Sequence, residues 1–182
     1  MAQTTGERLR ALRTERGMSL SELSRRSGVG KGTVSELEND RRGARLDTLF
    51  ALTAALGAPL GAALPDDQSA APRPVVGDSV SAVLLDRWTT PSRFVEVYRA
   101  TLTPVRQGSD AHADGIDETI TVVSGRVLVG PVGGERELGE GQSLRYAGDV
   151  PHRFEALGEP AEVLLLMHYP HSVDRGGRPH HD

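Results

Sequence analysis

The fold of the N-terminal region is decided by residues 19–39, which read SLSELSRRSGVGKGTVSELEN. Ser19, followed three residues later by Glu22, forms a capping box, and this predicts that a helix begins directly after Ser19. Gly28 permits a sharp turn of the backbone. A second helix is expected over Lys31–Glu38, because its apolar residues recur three positions apart on one face. The stretch therefore predicts two short helices joined by a tight turn.

Two further helices are predicted on either side of this stretch. Thr4 and Glu7 form another capping box, which predicts a first helix that ends near Gly17. A fourth helix is expected over Leu46–Leu56, where leucines and a phenylalanine recur before a glycine and a proline. A short last turn is expected over residues 60–64. Residues 1–64 therefore predict an all-α bundle.

The composition changes at Pro65. Residues 65–78 begin with a stretch that contains three prolines and no periodicity, which predicts a linker. Residues 79–172 contain short strand-like runs separated by Gly and Pro, a pattern typical of an all-β barrel or jelly roll. The predicted strands are Ser81–Leu85, Phe94–Leu102, Thr119–Val123, Arg126–Val129, Ser143–Tyr146, Arg153–Ala156 and Glu162–Tyr169. Residues 173–182 are expected to form a loose polar tail. The fold class is therefore α+β in two domains.

Composition restricts the classes of protein and of site. The 182 residues fit one large or two small domains, and no apolar run is long enough to span a membrane, so a cytoplasmic protein with no membrane partner is expected. Because there is no cysteine, any metal must use His, Asp or Glu. Residues 1–64 carry ten basic and seven acidic residues, a net charge of +3, whereas residues 65–182 carry eleven and eighteen, a net charge of −7. This asymmetry favours a nucleic-acid partner at one end only.

Residues 5–64 resemble the Xre-type (phage-repressor-like) family of helix-turn-helix proteins. The matching segments are Leu23, Ser27-Gly28-Val29, Thr33-Val34-Ser35, Leu37-Glu38-Asn39 and Leu56-Gly57-Ala58-Pro59-Leu60. The resemblance implies that the helix from Lys31 enters the major groove of double-stranded operator DNA. A helical unit used for protein contacts is the alternative, since this geometry does not by itself require DNA binding.

The resemblance assigns roles at the base edges to four residues of this recognition helix: Lys31, Gly32, Thr33 and Glu36. Lys31 is expected to donate to guanine, Glu36 to accept from cytosine, and the Thr33 methyl group to contact thymine. Gly32 departs from the polar residue that is usual in the family, so one base-reading position has no side chain.

Other residues of this domain are expected to contact phosphate or to support the fold. Ser19 lies at a helix N-terminus, which favours anions, and Arg41 and Arg42 follow the recognition helix, so all three are expected to contact the DNA backbone. In relatives, residues that match Arg13 and Glu38 pair inside the domain, which implies a structural role for both.

The second half of the chain, over residues 81–169, resembles the cupins. Its two motifs are residues 108–125 and 141–152. In cupins these motifs supply three histidines and a glutamate to a metal. His112, Glu118 and His152 match, and Asp114 stands at the position of the remaining histidine as an optional fourth ligand.

The resemblance implies one divalent metal at His112, Glu118 and His152. Two imidazoles and a carboxylate suit Zn, Fe, Ni or Mn, and the spacing does not choose among them. A metal-free barrel, in which these groups bind an effector directly or hydrogen-bond each other, is an equal alternative because one histidine is missing. His168 is expected to be a satisfied barrel histidine. Core or pocket-wall positions are expected for Trp88, Phe94, Tyr98, Tyr146 and Phe154.

Two functions follow from these resemblances. In the first, the protein is a homodimeric transcriptional regulator, expected to be a repressor, whose cupin domain senses a small-molecule effector and has no catalytic residues. In the second, it is a mononuclear non-haem iron oxygenase or epoxidase. The hydroxypropylphosphonate epoxidases are similar in layout, with a helix-turn-helix-like domain before a cupin that carries two His and one Glu.

Overall fold

Four helices build the N-terminal part of the chain in the computed structural model, which describes residues 3–65 and 74–171. These are α1 (Thr5–Glu15), α2 (Leu20–Ser27), α3 (Lys31–Glu38) and α4 (Leu46–Leu56), followed by a 3₁₀ turn, η1 (Leu60–Ala63). Together they form the helical domain. All four predicted helices are confirmed, and α3 and α4 have the predicted bounds.

Side-chain caps explain where the helices begin. Thr4 accepts a hydrogen bond from the Glu7 backbone at 3.1 Å, and the Glu7 carboxylate accepts one from the Thr4 backbone at 3.0 Å, so the first capping box is complete. The second is half formed: Ser19 accepts from the Glu22 backbone at 3.1 Å, but the Glu22 carboxylate accepts from Arg25 at 2.7 Å instead. Helix α2 ends at Gly28, whose backbone has the left-handed conformation.

An internal ion pair ties α1 to α3. Arg13 donates from Nε to Glu38 Oε1 at 2.6 Å and from Nη2 to Glu38 Oε2 at 2.8 Å, and it also donates to the carbonyl of Met18 at 2.8 Å. Glu38 is buried. A bidentate pair of this kind fixes both position and orientation. The predicted structural role of Arg13 and Glu38 is therefore confirmed.

Two antiparallel sheets build the rest of the described chain, which we call the β domain. The larger sheet has the order β1-β2-β3-β10-β5-β8 and the smaller one β4-β9-β6-β7. The strands are β1 (Val75–Val76), β2 (Val80–Thr89), β3 (Arg93–Leu102), β4 (Gln107–Ser109), β5 (Asp117–Ser124), β6 (Arg126–Pro131), β7 (Arg136–Gly139), β8 (Ser143–Ala147), β9 (His152–Ala156) and β10 (Ala161–Pro170). The predicted all-β fold of this domain, a barrel or jelly roll, and all seven predicted strands are confirmed.

The structure corrects the sequence analysis at several elements of the β domain. Three short strands, β1, β4 and β7, were not predicted. β1 lies inside the range predicted as a linker, and it is a strand because it pairs with β2 at Val75↔Ala82 and Val76↔Ser81. Trp88 is 41% exposed on β2, so a core or pocket-wall position for it is wrong. His168 is confirmed as a satisfied barrel histidine, since its Nε2 lies 3.1 Å from Thr119 Oγ1. The predicted tail lies outside the described residues.

The two domains pack against each other through α4 and η1. The backbone of Leu60 donates to the Tyr169 hydroxyl at 3.2 Å, and the backbone of Gly61 donates to Glu96 Oε1 at 2.9 Å. Glu96 is fully buried and also accepts a hydrogen bond from the Tyr98 hydroxyl at 2.6 Å. Hydrogen bonds between buried groups thus connect the end of the helical domain to the larger sheet.

None of the helices within residues 3–65 and 74–171 is both long and apolar enough to cross a membrane.

Candidate functional sites

One face of α3 is free of packing contacts with the helical core. Lys31, Gly32 and Glu36 are exposed and Thr33 is half-buried, whereas the apolar residues of the opposite face are buried. A Cβ atom added at Gly32 would meet nothing within 4 Å. All four residues predicted to read bases therefore lie on the accessible side of the helix.

The residues predicted to contact phosphate are also accessible. Ser19, Arg41 and Arg42 are exposed, and Ser19 caps the N-terminus of α2. Arg42 Nη1 lies 3.9 Å from Glu36 Oε2, so this cation is adjacent to a predicted base-reading residue. Cations beside the outer face of α3 suit a phosphate backbone that flanks the groove.

The β domain brings together three of the four predicted metal ligands. His112 lies in the loop between β4 and β5, Glu118 lies on β5, and His152 is the first residue of β9. The Nε2 atoms of His112 and His152 lie 2.8 Å and 3.3 Å from the same oxygen, Glu118 Oε1. The three potential donor atoms lie within 4.8 Å of one another. Asp114 is exposed in a turn and is not part of this cluster.

Hydrogen bonds from neighbouring residues orient two of these side chains. The Tyr146 hydroxyl donates to Glu118 Oε2 at 2.5 Å, which leaves Oε1 directed at the histidines. His152 Nδ1 lies 2.8 Å from the carbonyl oxygen of Val150. Because a carbonyl only accepts, Nδ1 carries the hydrogen, and in a neutral ring Nε2 is then an acceptor. An acceptor that faces a carboxylate oxygen needs a cation, either a proton or a metal ion, between the two.

The electrostatics of the cluster keep Glu118 ionised. Burial by itself would raise the pKa of Glu118, but the hydrogen bonds from His112 and His152 outweigh burial and lower this pKa well below its usual range. Burial also lowers the pKa of His152, and the Glu118 carboxylate more than reverses that effect, so the pKa of His152 is raised. The cluster is therefore a buried anionic carboxylate between two imidazoles, which is a donor set that divalent metals accept.

A cavity of about 500 Å³ opens beside the three residues and lies between the two domains. Its wall from the helical domain is formed by α4, with Asp47, Phe50, Ala51 and Ala54, and by Leu60 of η1, and its wall from the β domain is mainly apolar. The Phe50 ring stacks on the His112 ring, with centroids 5.4 Å apart and planes 22° apart. Gln107 Nε2 of β4 also donates a hydrogen bond to the Asp47 carboxylate.

Sequence reasoning missed two functional features of this site. Tyr146 was placed in the core or a pocket wall, but its bond to Glu118 was not foreseen, although it precedes His152 within the second cupin motif. The role of α4 as a cavity wall had no signal in the sequence, because the contact between Phe50 and His112 crosses the domain boundary.

The chain matches two known families, one in each domain. Residues 9–62 match the helix-turn-helix family HTH_3, and residues 99–167 match the cupin domain family Cupin_2. The two matches coincide with the helical domain and with most of the β domain.

Two relatives cover nearly the whole chain. The HTH-type transcriptional regulator SutR of Escherichia coli (strain K12) is 26% identical over 175 residues, which are 94% of this chain and 98% of that protein. The crystal structure of an HTH_3 family transcriptional regulator from Vibrio cholerae is 27% identical, has a TM-score of 0.79, and matches over 91% of this chain and 94% of its own. A structure of Fe(II)-HppE with an alternative substrate is 21% identical with a TM-score of 0.43, a likeness that bears on no chemistry.

Proposed function

Because the chain joins an Xre-type helix-turn-helix domain to a cupin domain, we propose that it is a DNA-binding transcriptional regulator that acts as a homodimeric repressor. The cupin domain senses a small-molecule effector, and the protein works in the cytoplasm, where its operator lies. The observation that carries the proposal is the accessible face of α3, with Lys31, Thr33 and Glu36 on a helix whose other face is buried.

DNA reading in this proposal follows from the chemistry of that face. Lys31 is a donor for guanine, Glu36 is an acceptor for cytosine, and the Thr33 methyl group suits thymine. Arg41 and Arg42, with the α2 N-terminus at Ser19, contact phosphates. In a two-fold dimer, the half-sites would lie about 34 Å apart or a multiple of that distance.

Effector sensing in this proposal uses the cavity between the domains. A volume of about 500 Å³ suits a small organic molecule. Because α4 forms one wall and follows α3 in the chain, an occupant contacts the DNA-binding domain as well as the cupin domain. A ligand that binds one relative placement of the domains more tightly shifts the population toward it and changes operator affinity.

A divalent metal fits the cluster of His112, Glu118 and His152 on the chemistry of its donor atoms. The candidates are Zn, Fe, Ni and Mn, and the metal would offer its remaining coordination positions to an effector. Tyr146 and the Val150 carbonyl hold two of the three ligands in orientation, as partners of ligands commonly do in metal sites. No observation on the described residues favours the oxygenase alternative.

Selection of duplexes from a random-sequence library with the full-length protein tests DNA reading. We expect a two-fold symmetric sequence, with Lys31→Ala losing about 1–3 kcal/mol of preference at one base pair of each half-site. Arg126→Ala is the control, since Arg126 is an exposed cation that pairs with Glu137 on the β domain. Binding without sequence preference at every salt concentration would overturn the proposal.

Elemental analysis of purified protein tests the metal. We expect about one equivalent of a divalent metal per chain and its loss in His152→Ala, while this variant still binds the selected duplex in its effector-free state. Retention of the metal by His152→Ala would contradict the assignment of the ligands.

A further inference from the structure

We propose that Phe50, a residue of the helical domain, is a positioning residue for the candidate metal site of the β domain. Because this role presupposes a metal at His112, Glu118 and His152, it rests on the proposed function. The affinity of this site for metal then depends on the position of the helical domain relative to the β domain.

Among the three candidate ligands, His112 is the one that lies outside the strands. Its backbone N–H donates to the carbonyl of Gly148 at 2.9 Å, and its Nε2 bonds Glu118 Oε1 at 2.8 Å. Glu118 and His152, in contrast, lie on strands and are oriented by Tyr146 and by the Val150 carbonyl. The ring of His112 therefore depends more than the others on the side chains that pack against it.

Phe50 packs against this ring from across the domain boundary. The centroid distance of 5.4 Å and the interplanar angle of 22° describe a stacked pair within the range that aromatic rings favour. A Cβ atom added at Gly148 would lie 3.3 Å from His112 Cδ2, so the backbone of Gly148 is a second close neighbour of the ring. Within the β domain the His112 ring also contacts the His152 ring, with centroids 5.1 Å apart, and bonds Glu118 through Nε2. Phe50 adds a stacked aromatic ring from the helical domain.

Phe50 is rigidly attached to the DNA-binding domain through α4. Leu49 and Leu52 of the same helix are buried in the hydrophobic core, at 1% and 0% exposure. Asp47 of α4 accepts a hydrogen bond from Gln107 in the wall of the same cavity. Since closely packed interiors transmit displacements, a shift of α4 carries Phe50 with it and changes the support of His112.

Titration of the full-length protein with Co²⁺ tests this role, because the visible spectrum of Co²⁺ reports its coordination. Phe50→Leu removes the ring and keeps an apolar side chain. We expect its Co²⁺ affinity to fall about threefold to tenfold, with an altered spectrum. Phe50→Tyr keeps the ring and should therefore have the wild-type Co²⁺ affinity and the wild-type spectrum. Phe94→Leu is the matched control, because Phe94 is a half-buried aromatic that packs on Tyr169 and is not among the cavity-lining residues.

Wild-type affinity and spectrum in Phe50→Leu would overturn the role of Phe50. Circular dichroism checks that the variant folds, and Phe50→Met replaces it if it does not. Absence of Co²⁺ binding by the wild-type protein would overturn the metal assignment and this role with it. The duplex selection measures DNA reading separately. A failure of the proposed DNA binding can therefore be distinguished from a failure of the metal assignment and from a failure of the role of Phe50.

Discussion

Tyr146 fixes the carboxylate of Glu118 from the side away from the histidines. Its hydroxyl donates to Oε2 at 2.5 Å, and both side chains are buried. Without that bond, the carboxylate can rotate, and a buried oxygen loses its donor. Partners of metal ligands commonly contribute tenfold to a hundredfold in metal affinity.

Tyr146→Phe is therefore expected to weaken Zn²⁺ or Co²⁺ binding by about tenfold to a hundredfold, measured by competition with a chelating dye. Tyr98→Phe is the matched control, because Tyr98 is a buried tyrosine whose hydroxyl bonds Glu96 and none of the three candidate metal ligands. Equal metal affinities in the two variants would contradict the role given to Tyr146.

Glu96 gives the protein a pH-dependent stability at the domain boundary. Burial raises the pKa of Glu96 above its ordinary value of 4.5, although hydrogen bonds from Tyr98, Gly61 and Tyr169 act in the opposite direction. The folded protein therefore holds a proton that the unfolded chain releases once the pH exceeds 4.5. Glu96 therefore adds its full contribution to the free energy of unfolding below pH 4.5, and this contribution is lost as the pH rises through the raised pKa.

Glu96→Gln removes this titration. We expect the unfolding free energy of the wild type, minus that of the variant, to fall as the pH rises above 4.5, by at most about 1.4 kcal/mol per pH unit. The difference then levels off above the raised pKa of Glu96. Urea denaturation at a series of pH values measures it. A difference that stays constant with pH would show that Glu96 has the same pKa in the folded and unfolded protein.

The 3₁₀ turn η1 docks on the larger sheet through a close approach that only glycine permits. A Cβ atom at Gly61 would lie 2.3 Å from Glu96 Oε1 and 3.1 Å from Leu84 Cδ2. Gly61→Ala must therefore displace η1 or the Glu96 carboxylate and weaken the hydrogen bond between them. We expect a loss of about 1–3 kcal/mol in the free energy of unfolding.

Gly32→Ala is the matched comparison for the change in η1. Its Cβ would meet nothing within 4 Å, and the residue lies within α3. Alanine stabilises an exposed helical position over glycine by about 0.5–1 kcal/mol. The two alanine variants should therefore shift the thermal midpoint in opposite directions. A thermal midpoint of Gly61→Ala that is unchanged or raised would contradict the packing described at η1.

The elements that the sequence predicted correctly are those whose signals are local. The bounds of α3 and α4 follow from periodicity and from the residues that end each helix. The short strands β1, β4 and β7 have two to four residues each, and their hydrogen bonds come from partners such as β9 and β6, which no local pattern specifies. For the same reason, the cupin motifs predicted the cluster around Glu118, whereas the stacking of Phe50 on His112 required the packing of two domains.

On the scale of the whole molecule, α4 connects the helical domain to the candidate metal site. It packs in the core of the helical domain, next in the chain to α3, and it also forms one wall of the cavity beside His112, Glu118 and His152. An equilibrium between two placements of the domains would therefore be biased by DNA at one end and by metal at the other. Such coupling is reciprocal, since it is a free energy shared by the two binding events.

We therefore expect the metal to change affinity for the selected duplex by the same factor by which the duplex changes affinity for the metal, typically about 5-fold to 150-fold. Fluorescence anisotropy with labelled duplex, with and without Co²⁺, gives the first factor, and Co²⁺ titration with and without the duplex gives the second. A scrambled duplex of equal length controls for electrostatic attraction of the cation to DNA. Phe50→Leu should bring both factors toward one, because it removes the ring of α4 that stacks on a candidate ligand. Two factors equal to one in the wild-type protein would mean that the domains bind their ligands independently.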